Sequence, residues 1–160
     1  MFSTRTTADP KFRMPKSKHI TLTSTVSRHH PQFSRLVTIP LDVIAPWKLS
    51  DTTVIEGTIN DTELGRRSMK RWDDRNCWWI DLPEPLCKRA KLETGDEVTL
   101  KIRLASEDLP DELKELITKN STAKANWEKL TKAQQRMVRE EIFTAKSSET
   151  RSRRAKKVLL

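Results

Sequence analysis

Residues 54–104 carry the pattern that decides the fold: VIEGTIN (54–60), NCWWIDLP (76–83) and DEVTLKIRL (96–104). In the last run Val98, Leu100, Ile102 and Leu104 alternate with Thr99, Lys101 and Arg103. Successive side chains on a strand point to opposite faces, so this alternation predicts a half-buried β-strand. VIEGTIN is rich in β-branched residues and ends in the turn formers Asn60 and Asp61. Gly57 inside it predicts a bulge or a close backbone approach. In NCWWIDLP, Trp78 and Ile80 share one face while Cys77, Trp79 and Asp81 share the other. One tryptophan therefore belongs to a core and the other lies outside it. Between these runs, Leu64 to Lys70 reads as a returning strand, and Lys70 to Asn76 as a polar turn that carries Trp72. Residues 82–90 allow one or two helical turns, and Thr94-Gly95-Asp96 is a turn with Gly95 at positive φ.

Upstream, Phe33, Arg35, Val37 and Ile39 alternate with Ser34, Leu36 and Thr38, a strand stopped by Pro40. LDVIAPWKL (41–49) adds a short apolar patch in which Pro46 argues against a long helix. Residues 1–34 hold eleven Ser/Thr and all three histidines, a composition expected to stay disordered. Within them only ITLTSTV (20–26) alternates well enough to add an edge strand.

Downstream the period becomes helical. Asp108 is placed to cap, Pro110 sits near a first turn, and Leu113, Leu116 and Ile117 share a face. Ala123, Trp127 and Leu130 mark a second helix. Thr131 followed by Gln134 forms a capping-box pattern. That third helix is expected to bury Met137, Val138, Ile142 and Ala145. A last helix from Glu149 to Leu159 should turn Ala155, Val158 and Leu159 inward. Strands followed by helices indicate an α+β fold. The domain plan is a disordered basic tail (1–34), a small β-barrel (35–107), and a helical module (108–160) packed on it. There are enough strands to close one barrel, so a monomer is expected.

The formal charge of +9 is uneven. Residues 1–34 carry six Lys/Arg and one Asp, +5; residues 146–160 carry six Lys/Arg and one Glu, +5; residues 35–145 carry nineteen Lys/Arg and twenty Asp/Glu, −1. Basic ends on a neutral core suit attraction to a polyanion such as nucleic acid, and equally suit solubilising tails. No apolar run is long enough to span a bilayer, and the first residues have no secretory apolar region. Cys77 and Cys87 form no Cys-x-x-Cys and have no histidine near them in sequence, so two reduced thiols in a cytoplasmic protein are expected.

The C-terminal stretch contains Leu130-Thr131, Ile142 to Lys146, and Glu149-Thr150-Arg151 to Arg154. These motifs resemble the bacterial YdeI/OmpD-associated (bacteriocin-protection) family. The preceding segment is similar to the small barrel of unknown function that often accompanies that module. The resemblance covers roughly residues 35–160. It implies a small split, AbrB/MazE-like barrel followed by helices, and offers no catalytic residues to carry over. It also implies a stress or antimicrobial-peptide protection role through protein partners. The chain departs from the family pattern at Asn60-Asp61, where Asn-Gly is usual, and at Trp72 to Arg75, where a glycine-rich turn is usual.

Two basic clusters are candidates for nucleic-acid binding. Arg66, Arg67, Lys70, Arg71 and Arg75 surround Trp72 on one hairpin, where cations meet phosphates and Trp stacks on an unpaired base. Local pairing with Asp73 and Asp74 on a solvated hairpin explains the same residues. Arg151, Arg153, Arg154, Lys156 and Lys157 lie on the last helix and suit nucleic acid or an anionic surface, or simply favour the helix dipole. Pairing of Arg151 or Arg154 with Glu140 or Glu141 is expected. No nucleophile, base and orienting group can be assembled, since every histidine lies in the expected tail. A non-enzymatic binding protein without cofactor or metal is the expectation.

Overall fold

The computed structural model describes residues 19–160. The chain divides after Ser106 into two compact units, each with its own hydrophobic core. Among the described residues the first unit contains seven strands: β1 (Ile20–Thr25), β2 (Arg35–Pro40), β3 (Thr53–Ile59), β4 (Thr62–Glu63), β5 (Arg67–Trp72), β6 (Cys77–Leu82) and β7 (Glu97–Leu104). Every pairing is antiparallel and the order is β1-β7-β3-β5-β6-β2, with β4 attached to β3. The two ends of this path meet. Ser27 and Leu36 exchange backbone hydrogen bonds at 2.9 Å each, and Ser24 Oγ donates to the Thr38 carbonyl at 2.8 Å. The result is a nearly closed six-stranded barrel.

The alternations seen in sequence decide what fills it. Val98, Leu100 and Ile102 point inward from β7, Trp78 and Ile80 from β6, and Val37 and Ile39 from β2. Trp79 faces out, half-buried. Gly57 pairs with Ile102, and a Cβ on it would overlap the Lys101 carbonyl oxygen. The close approach expected at that glycine is therefore real, and its φ of 148° belongs to a region side chains avoid. Asn60 (φ 47°) and Asp61 (φ 66°) make the tight β3–β4 turn without glycine. The Asn60 carboxamide oxygen accepts from the Thr99 N–H at 2.8 Å, which fixes that turn to β7. Two short helices complete the unit, α1 (Leu41–Ile44) and α2 (Glu84–Ala90), with α1 running into a 3₁₀ turn at Ala45–Trp47 around Pro46.

The second unit has four helices: α3 (Asp111–Lys119), α4 (Ser121–Lys129), α5 (Lys132–Phe143) and α6 (Ser148–Leu159). Leu113, Ala123, Ile142, Ala155 and Leu159 form its buried core. The Asn120 side chain caps α4 through the Ala123 N–H at 2.9 Å. The Thr131–Gln134 capping box is complete, with bonds of 2.9 and 3.1 Å. Ser147 caps α6.

Several expectations are corrected. The strand expected within residues 20–26 is present, paired to β7, and Val26 is core; of the tail expected to be disordered, residues 19–34 are described and carry this strand and the loop after it, while residues 1–18 lie outside the described part. Phe33 precedes β2 and is 63% exposed, because the chain turns into the strand only at Arg35. Lys70, Arg71 and Trp72 belong to β5, and the turn shrinks to Asp73–Asn76, where Asn76 takes a left-handed conformation. Pro110, not Asp108, occupies the N-cap of α3. Met137 and Val158, expected to be inside, face solvent. As expected, Cys77 and Cys87 are both free; Cys87 is buried, with its thiol donating to the Leu82 carbonyl.

Candidate binding surfaces

The outer face of the β5–β6 hairpin is set by its register. Lys70 lies opposite Trp79, and Trp72 opposite Cys77. Side chains two apart on one strand share a face, so Lys70, Trp72, Trp79 and Asp81 all point away from the barrel core. The Trp72 and Trp79 rings lie 5.9 Å apart, tilted. The Lys70 ammonium sits 4.7 Å from the centre of Trp79 and 3.5 Å from Asp81. The Arg75 guanidinium lies 4.7 Å from the centre of Trp72. Arg71 pairs with Asp73 at 3.3 Å and leans on Trp78.

The loop between β1 and β2 closes over this face. It is tied by Arg28 Nε to the Phe33 carbonyl (2.8 Å), by the Phe33 N–H to the His30 carbonyl (2.9 Å), and by the Gln32 N–H to His30 Nδ1 (3.1 Å). His29 meets Trp72 edge to face at 4.6 Å. Loop and hairpin together enclose an open groove of about 700 Å³, whose walls include His29, Phe33, Trp72, Trp79 and Asp81.

Of the six hairpin residues singled out in the sequence, the structure gathers Lys70, Arg71, Trp72 and Arg75. Arg66 and Arg67 stand at the other end of β5. Arg66 donates to the Ser106 carbonyl, and Arg67, half-buried, donates to the Leu64 carbonyl, each at 2.8 Å. Burial, then the neighbouring Arg89 charge, lowers the Arg67 pKa from its ordinary value. Both arginines serve backbone carbonyls rather than the groove.

The cations of α6 also separate into two groups. Arg151 grips Glu112 through two bonds of 2.9 and 3.2 Å and also donates to the carbonyls of Ala145 and Lys146. The Ser148 hydroxyl adds a third bond to the same carboxylate. The hydrogen bond from Arg151, then that from Ser148, holds Glu112 down at about 2. Arg154 donates to the Glu141 carbonyl and to Thr144 Oγ1, at 2.7 and 2.8 Å. Its carboxylate neighbour, Glu141, is as expected, whereas Arg151 chose Glu112 on α3. Arg153, Lys156 and Lys157 are exposed and make no ion pair among the described residues.

Sequence reading missed that His29 and Trp79 contact Trp72, and that Phe33 and Asp81 line the same groove. The β6 alternation had already put Trp79 and Asp81 on one shared face, without deciding whether that face was the outer one. His29 and Phe33 arrive only through the closure of β1 onto β2, which leaves no local signal. Among the described residues no group of His, Cys, Asp or Glu is arranged to hold a metal ion, and no helix is long and apolar enough to cross a membrane.

Residues 108–159 match the model of a family described as bacteriocin-protection, YdeI or OmpD-associated. The match covers the helical unit from just before α3 to the end of α6. No curated protein and no solved structure matches the chain.

Proposed function

We propose that this is a non-enzymatic binding protein that takes a polyanion, nucleic acid in the first place. The observation that carries the reading is the exposed face of α6. Arg153, Lys156 and Lys157 stand at spacings of three and four residues, which places them side by side on a helix. No carboxylate neutralises them among the described residues. Arg151 and Arg154 on the same helix are held by Glu112 and Glu141, so the helix keeps its fold with one set of cations and leaves the other set to solvent. Such cations release counterions when they meet phosphates, which makes binding strong at low salt and steeply salt-dependent.

The test is fluorescence anisotropy of labelled oligonucleotides with the full chain across a salt series. Replacing Arg153, Lys156 and Lys157 together by Gln should reduce the slope of log K against log salt by about 2–3, at roughly 0.7–0.9 for each phosphate left without its cation. The three side chains are exposed, so the variant should fold normally. Absence of binding by the unmodified chain at low salt, or an unchanged slope in the variant, would overturn the reading.

A second reading is favoured by the family match over residues 108–159: a protection factor against antimicrobial peptides, acting through protein partners. Unchanged peptide sensitivity of cells that lack the protein would remove it.

A further inference from the structure

The groove beside Trp72 has features that barrel stability does not require. The core is filled by Trp78 and its neighbours, yet Trp72 and Trp79 stand half-buried on the outer face and Phe33 is 63% exposed across from them. His29, Arg75 and Lys70 cover part of the two indoles, but the sides of the three rings that face the open space have no protein cover, which is unfavourable unless something else fills it. The volume, about 700 Å³, lies within the range of small-ligand sites.

The charges around it narrow the occupant. Lys70 is matched by Asp81 and Arg71 by Asp73, so these cations add no net attraction for anions. Arg75 is different. It is not one of the groove's walls, but it rests on the ring of Trp72, which is, and it has no carboxylate partner among the described residues. One uncommitted guanidinium beside a set of aromatic planes fits a flat ring joined to a single anionic group. Asp81 offers acceptor oxygens to the edge of such a ring, a role an aromatic hydrocarbon side chain would leave unused.

We propose that this groove is a stacking site for one unpaired nucleobase, with Arg75 exchanging its ring contact for the adjoining phosphate. The proposal rests on the polyanion reading and gives it a preference for single strands. A paired base keeps its faces inside the duplex and cannot enter, whereas an unpaired base stacks on Trp without regard to sequence. The unpartnered cations of α6 then supply charge attraction to either form of nucleic acid, and the groove discriminates between them.

Anisotropy with a labelled oligothymidylate and with a labelled duplex, at one fixed salt concentration, separates these parts. Trp72→Ala should weaken single-strand binding on the order of tenfold, as expected when one stacking interaction is removed, while duplex binding stays within about twofold. Phe33→Ala provides a second variant whose fold is not at risk, since that ring is already exposed. It should shift single-strand binding in the same direction by a smaller factor. Equal losses on both oligonucleotides, or no loss in either variant while the α6 variant binds weakly, would overturn the groove and leave the polyanion reading standing. Failure of the unmodified chain to bind either oligonucleotide would end both. Quenching of tryptophan emission by an indole-bearing peptide and not by the oligothymidylate would assign the groove to a peptide side chain instead and overturn the proposal.

Discussion

In the barrel, Val37, Ile39, Ile55, Ile59, Ile80, Leu100 and Ile102 are completely buried; in the helical unit the large buried side chains are Leu113, Ile142 and Leu159, with Ala123 and Ala155 between them. Burying a Leu or Ile side chain contributes roughly 1.5–3 kcal/mol, so the barrel draws much more from apolar burial. The helical unit, Glu107–Leu160, is small for a self-sufficient core. It makes up the difference with polar links: the Arg151–Glu112 fork, a complete capping box and two further side-chain caps. The barrel should therefore fail by steric insult and the helices by loss of single polar links.

The largest effect is expected at Gly57. A methyl group there meets the Lys101 carbonyl, which is backbone and held in the β3–β7 ladder, and the residue must also keep a φ of 148°. Strain of that kind costs about 1–3 kcal/mol and overpacking about as much again. Gly57→Ala should lower unfolding free energy in urea by about 3–5 kcal/mol. A loss under about 1 kcal/mol would mean that the two strands separate easily, and that the barrel is less tightly specified than its burial implies.

An intermediate effect is expected from acid, and it should fall on the helices. Glu112 keeps its charge in the folded state down to about 2, below its ordinary 4.5, chiefly because Arg151 donates to it. A depressed carboxylate pKa means that the folded state prefers the ionised form. The stabilisation is complete above the ordinary value and fades as pH falls from there through about 2. Amide exchange in α3 and α6 should speed up over that window, while amides of β3 and β7 respond less. Glu112→Gln should lower the melting temperature of the helices by a few degrees at neutral pH and flatten their acid response. Equal acid sensitivity in barrel and helices would break the contrast.

The difference between the units also explains what was legible in the chain. Strand alternation is a local property, so Val98 to Leu104 and the two faces of Cys77 to Leu82 were readable, as was the capping box at Thr131. Partners brought together by closure were not. Nothing near His29 or Phe33 in sequence indicates that they will face Trp72, since that depends on β1 joining β7 and then meeting β2. The ion pairs of α6 were half readable. Arg154 with Glu141 followed from proximity along the chain, but Arg151 reaches back thirty-nine residues to Glu112. Helical faces were misjudged at Met137 and Val158 because an amphipathic stripe shows a direction and not how far the neighbouring helices extend. In the basic hairpin, composition alone placed Arg66 and Arg67 with Trp72, yet they donate to backbone carbonyls at the other end of the strand.

The smallest effect sharpens the contrast most directly, because it removes one hydroxyl from an exposed position. Thr131 accepts the Gln134 N–H at 3.1 Å, and the Gln134 side chain accepts the Thr131 N–H at 2.9 Å. These two bonds satisfy donors that the first turn of α5 cannot satisfy internally. Thr131→Ala should cost about 1 kcal/mol, within the usual range of roughly 0.5–2 for an N-cap. On the barrel such a loss would be minor beside its buried apolar surface. In the helical unit it acts on the helix that supplies Ile142, one of three large core side chains. The exchange of α5 amides should therefore accelerate together with those of α6, which packs against it, rather than fray only at the first turn. Fraying confined to residues 132–135 would show that the apolar packing of Ile142 and Leu159 holds the unit without help from its caps.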